Sequence, residues 1–288
     1  MTMLHGTSAT VLTAVVVLFI AVTTLRILRS LVRSERARRE YRQTVMAMRW
    51  WMIPAAVGQL TLVFAAYLGL VHFLPLLGWG WWRMLGNAGN VGLAQTGQTG
   101  LIWRVIGFAV PILLAAAVPW MAHAEELAFR AGSERQGVRR KVRRQVVFGL
   151  THMWAGIPIG ACLALTISGL YFLLVYLRAL ASLGPDLQAA RNVPSYERLP
   201  SPSLPAGAEE DPETLAALHT ERARVRQEND ERRKAWADKL EEQISASYDR
   251  VDQVRRRAVA KSAAAHAVSN WLLIVLLVAF LAWRELAT

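Results

Sequence analysis

Ser8 to Leu28 is an apolar run of Val, Leu, Ile, Ala and Thr interrupted only by Arg26. In hydrocarbon every backbone N–H and C=O must be satisfied within the chain, so a run of this length can cross a bilayer as a helix. Comparable runs follow at Trp50 to about Leu74, Leu101 to about Ala124, Gln145 to Arg178 and Ser262 to about Trp283. The fourth is broken at Gly156-Ile-Pro-Ile-Gly160. It therefore reads as a short segment carrying His152 and a full crossing from about Ile159 to Leu177. The expected fold class is all-α: a polytopic membrane helix bundle of five full crossings plus the short segment, about six membrane helices, with a long charged helical insert.

Charge supplies the orientation. Arg29, Arg33, Arg36, Arg38, Arg39 and Arg42 follow the first run, and no Lys or Arg precedes it, which is the reverse of a signal peptide. Further clusters lie at Arg135–Arg144 and Arg255–Lys261. By the positive-inside bias the clusters are cytoplasmic and the N-terminus is outside, which predicts a multi-pass protein of the cell membrane. The formal charge is +12 and 54% of residues are hydrophobic. Because the arginines flank apolar runs, this excess points to anionic membrane lipid and not to nucleic acid. Cys162 is the single cysteine, so neither an intrachain disulfide nor a zinc finger can form.

Four regions are expected. Residues 1–100 hold two N-terminal spans and an outer loop whose Trp79, Trp81 and Trp82 read as an aromatic belt. Residues 101–180 form a core with two polar motifs. Residues 181–260 change character: a Pro-rich linker leads to a charged helix opened by Asp211-Pro-Glu-Thr. Along it Trp236, Leu240, Ile244, Tyr248 and Val251 form an apolar stripe. Residues 261–288 carry the last span and a third motif.

Three polar pairs stand at the cytoplasmic side of this arrangement. They are Glu125-Glu126 with Arg130, Phe148 with His152, and His266 with Asn270. Ionisable groups in a span are costly and mark a functional site by default. Each member lies within a few turns of a basic cluster, which places all three in the cytoplasmic third at roughly 1.5 Å per residue. Glu126 and Arg130 are one turn apart and can pair. Glu125 points about 100° away, free to face the bundle. A carboxylate beside a histidine can activate water, and a histidine with an amide can hold an oxyanion. Taken singly, each pair also reads as a solvated helix end, a packing histidine or interhelical glue. Their common depth favours the functional reading. His5, His72 and His219 fit no such pattern, and His123 reads as interfacial.

The motifs Glu125-Glu126-x-x-x-Arg130, Phe148-x-x-x-His152 and His266-x-x-x-Asn270, in that order, resemble those of the CPBP intramembrane proteases. That family includes type II CAAX prenyl endopeptidases and bacteriocin-processing or self-immunity proteins. The resemblance covers roughly Leu101–Arg178 and Ser262–Trp283. It implies hydrolysis of a peptide bond in a membrane-associated protein or peptide substrate at the cytoplasmic side. Glu125 would be the general base on water, assisted by His152. His266 and Asn270 would hold the oxyanion, with Glu126, Arg130 and Phe148 in support. It leaves open a divalent metal such as zinc, held by Glu125, His152 and His266, or no metal at all. The insert at 181–260 is longer than the family's usual connection. An alternative expectation is a non-catalytic immunity or scaffold protein that binds a protein partner through this insert.

Overall fold

The computed structural model describes residues 7–85, 96, 100–185, 198–203 and 212–287. It divides into two compact units, one of Met1–Ala181 with Arg255–Thr288 and one of Ser182–Val254. Among the described residues all regular structure is helical.

In the first unit the apolar runs become α1 (Thr7–Arg33), α3 (Met52–Phe73), α4 (Leu101–Phe129) and α6 (Ile159–Ser182). The basic segment after α1 forms α2 (Glu35–Met46). Its start is capped by Ser34, whose Oγ accepts from the Ala37 N–H at 3.3 Å, with Glu35 in the first turn. Pro111 and Pro119 lie inside α4 without ending it. After α4 come α5 (Val138–Thr151) and a 3-10 turn at His152–Ala155. The helix α7 (Pro212–Ala287) contributes its residues up to Val254 to the second unit and those from Arg255 to the first.

Five helices are long and apolar enough to cross a membrane: Thr10–Arg33, Met52–Phe73, Leu101–Arg135, Ile159–Ser182 and Pro212–Arg284. The expected short segment with His152 is helix α5, but it has 14 residues and a strongly basic first half. At about 1.5 Å per residue it is too short for a hydrocarbon core of about 30 Å. His152 does not stand inside this helix; it caps the C-terminal end.

The crossing helices differ in how much they are enclosed. Half of the apolar window of α6 is buried, against 17% in α1 and 22% in α3 and α4, so α6 is the central helix. Its approach to α5 depends on Gly149, where a Cβ would lie 2.2 Å from the Cys162 carbonyl oxygen. On α7 the run Ala263, Ala264, Ala265 and Ala267 is buried against Val118 and Ala122 of α4 and against Phe148 and Phe172. Small side chains let helices approach closely where lipid offers no hydrophobic drive.

The tryptophans after α3 pack against the protein itself. Trp82 is buried, packs with Val17 and Val110, and lies over Gly156. Gly156 has φ +78°, and a Cβ there would meet the Trp82 indole at 1.6 Å. Trp81 Nε1–H donates to the Met153 carbonyl at 2.9 Å, and Ile159 N–H to the Trp79 carbonyl at 3.0 Å. The indoles thus hold the turn that follows His152. Residues 86–95 and 97–99 of the expected outer loop lie outside the described residues.

In the second unit Asn229 is buried and clamps a passing segment. Its Nδ2 donates to the Leu199 carbonyl at 3.2 Å, and the Leu199 N–H donates to its Oδ1 at 2.9 Å. Of the predicted apolar stripe, Ile244 and Tyr248 are exposed. Residues 186–197 and 204–211 of the expected linker lie outside the described residues.

Candidate functional site

The centre of the site is Glu126, not Glu125. Glu126 is fully buried on the face of α4 that also carries Ala122 and Arg130. The His266 Nδ1–H donates to Glu126 Oε1 at 2.9 Å. The single hydroxyl proton of Ser262 is shared between Glu126 Oε2 at 2.5 Å and the Phe172 carbonyl at 2.8 Å. Arg130 Nη1 lies 3.1 Å from Glu126 Oε1, and both side chains are inaccessible to solvent. Its N–H groups do not aim at that oxygen, so the contact is a charge pair and not a directed hydrogen bond. The guanidinium instead lies over the Phe148 ring, 3.9 Å from its centroid.

His266 is held on every side. Phe172 stacks on it with centroids 4.4 Å apart at 18°, and Phe148 meets it edge-on at 5.8 Å. With Nδ1 committed to Glu126, the other ring nitrogen faces Glu125: Nε2 to Oε2 is 3.8 Å. That distance is too long for a hydrogen bond and suits one bridging water. The Glu125 side chain is 35% exposed, against none of Glu126. Its Oε2 is nevertheless buried and has no hydrogen-bond partner. One carboxylate thus orients the imidazole from behind while the other stands in front of it, within reach of solvent. Sequence spacing had turned Glu125 into the bundle and left Glu126 only as the partner of Arg130. Packing of α4 against α7 makes Glu126 the deeper of the two.

His152 packs edge-on against Phe148, with ring centroids 5.0 Å apart. Its Nδ1–H donates to the Phe148 carbonyl at 2.9 Å. A carbonyl only accepts, so in the neutral ring Nε2 carries the lone pair. His152 is half-buried and makes no ion pair with Glu125; the histidine beside Glu125 is His266. Asn270 is half-buried one turn beyond His266. His123 is buried, with Nδ1 3.2 Å from Thr44 Oγ1, and so is a packing group and not an interfacial one.

The zinc option fares poorly. Among the described residues no three His, Cys, Asp or Glu side chains are grouped so as to hold a metal ion. Glu125 and His266 converge, but His152 is turned to the Phe148 carbonyl and one nitrogen of His266 is spent on Glu126. The set Glu125, His152 and His266 does not fit the compact tetrahedron a zinc ion requires.

Two groups escaped the sequence reading. Ser262 stands one turn before His266, as Asn270 stands one turn after, so the i, i+4 spacing was available as a signal. Phe172 had none, because one aromatic in an apolar helix looks like any other. A second tie lies just beyond the site. Glu134 accepts from Tyr176 Oη–H at 2.9 Å and from Arg255 Nε–H at 2.9 Å, joining the turn after α4 to α6 and α7. No protein-family model, no curated protein and no solved structure matches this chain.

Proposed function

We propose that this protein is a multi-pass endopeptidase of the cell membrane, of the CPBP type. It hydrolyses a peptide bond of a membrane-associated protein or peptide at the cytoplasmic side, with the N-terminus outside and the 181–260 insert cytoplasmic. The observation that carries this reading is the row Glu125, His266, Glu126, in which one imidazole stands between a half-exposed and a fully buried carboxylate.

In the proposed reaction a water between Glu125 Oε2 and His266 Nε2 attacks the scissile carbonyl carbon. Glu125 takes one proton from that water as general base and passes it to the departing amine nitrogen. The C–N bond breaks, and the second proton of the water leaves the new carboxylic acid for solvent, giving a carboxylate and an amine. The Asn270 amide donates to the carbonyl oxygen as negative charge develops there. Glu126, with Arg130 and Ser262, fixes the ring of His266 and never touches substrate, as does the orienting acid behind a catalytic histidine elsewhere. His152, with a lone pair on Nε2, is a second proton acceptor next to the site.

The test is reconstitution of the full chain in liposomes with a library of membrane-anchored peptides, products being identified by mass spectrometry. Glu125→Gln and His266→Ala are expected to abolish the fragments that wild type releases. Undiminished cleavage by Glu125→Gln sinks the proposal. Complete function of that variant in cells, with loss on deleting residues 182–254, replaces it with a scaffold that binds through the insert.

A further inference from the structure

In the second unit a cavity of about 630 Å³ is lined by Arg198, Ser201, Arg222, Arg226, Asp230 and Arg233. The helix satisfies its other arginines locally: Arg224 pairs with Glu221 at 2.6 Å and Arg232 with Glu228 at 3.0 Å. Arg198, Arg226 and Arg233 have no ion pair among the described residues. Arg222 spends only Nε, on the Pro202 carbonyl at 3.1 Å.

Their placement is ordered. At about 100° per residue, Arg222, Arg226, Asn229 and Arg233 fall within roughly 60° of one another on the helix. Like charges one turn apart on a helix destabilise it; Asp230, one turn after Arg226, balances one charge of the four arginines, and a bound anion offsets the rest. Asn229, in the middle of the row, grips the backbone of Leu199 on both sides. That clamp lays the segment 198–203 along the arginines and turns a convex helix face into a concave one, with Arg198 as the opposing wall. Guanidinium forks converging from two directions match the oxygens of linked phosphates better than a single carboxylate. We propose that this cavity is a binding site for a diphosphate or polyphosphate group, presented either by a soluble molecule or by a lipid headgroup.

The site stands independently of the proteolytic reading. It is tested on the full chain in zwitterionic detergent by titrating inorganic pyrophosphate in a calorimeter. Saturable binding of one pyrophosphate per chain is expected. Arg226→Gln with Arg233→Gln should remove it, while Arg224→Gln with Arg232→Gln, the same change in charge, should leave it intact. Asn229→Ala keeps every arginine and frees the strap, and should weaken binding about tenfold. Equal losses in the two double variants, or titration without saturation, overturn the proposal. The source is read in nanodiscs of phosphatidylcholine alone or doped with phosphatidylinositol bisphosphate. Loss of pyrophosphate binding only in doped discs identifies a lipid headgroup, and unchanged binding identifies a soluble ligand.

Discussion

The Nδ1 of His266 lies 2.9 Å from Glu126 Oε1, so the deeper of two adjacent glutamates sets the angle of the imidazole that the shallower one faces. The two carboxylates therefore separate experimentally. Glu125→Gln should leave the unfolding temperature unchanged and lower peptide hydrolysis about 10²–10⁴-fold, the range for loss of a general base. Glu126→Gln should lower both. Thermal unfolding in detergent beside a cleavage assay distinguishes them, and a stable, fully active Glu126→Gln protein would contradict the orienting role.

Arg130 is the positive partner in this buried cluster. Arg130→Met removes the charge facing Glu126 while keeping bulk against Phe148. Breaking a buried pair on one side typically costs about 3–5 kcal/mol, since the other charge is left uncompensated. Combining it with Glu126→Gln should restore part of the loss. A double-mutant cycle measured by chemical unfolding checks this, and simple additivity of the two changes would show that they do not interact.

Gly156 tests the hold of the tryptophans on the turn after His152. A side chain there faces both a left-handed backbone and the Trp82 indole. Gly156→Ala is expected to destabilise the protein by about 1–3 kcal/mol, as overpacking does. With Trp82→Ala the steric part should be relieved and only the backbone strain remain. If Gly156→Ala costs as much in the Trp82→Ala protein as in wild type, the indole is not what the glycine accommodates.

Glu134 receives both Tyr176 and Arg255 in a partly buried setting. Glu134→Ala leaves the two donors without an acceptor, at a cost of about 1–3 kcal/mol. Because it ties α7 to the turn after α4, hydrogen exchange should rise around Arg255–Ser262 before it rises in α6. Uniform exchange across the first unit would argue against a local tie.

Much of the fold is legible in the sequence. The apolar runs 8–28, 50–74 and 101–124 became α1, α3 and α4 with ends moved by a few residues, and the break at Gly156–Gly160 separates α5 from α6. The basic start of α5 was also readable, yet its length as a helix was not, because charged and apolar residues join there without a breaker. The polar groups that meet at His266 were visible as candidates; their pairing was not.

Length, hydropathy and helical spacing by themselves determined that this chain forms helices able to cross a membrane. They also determined that Glu126 shares a face with Arg130, and His266 with Asn270. Those facts follow from the helix repeat alone. Which glutamate is buried is a question about the rotation of α4 on its own axis, and one residue is a step of about 100°. That rotation comes from packing among α4, α5, α6 and α7, where Gly149 on α5, the α7 alanines and Phe172 on α6 decide how close the helices come. Only the tertiary structure could therefore assign Glu126 to hold the imidazole and Glu125 to face it.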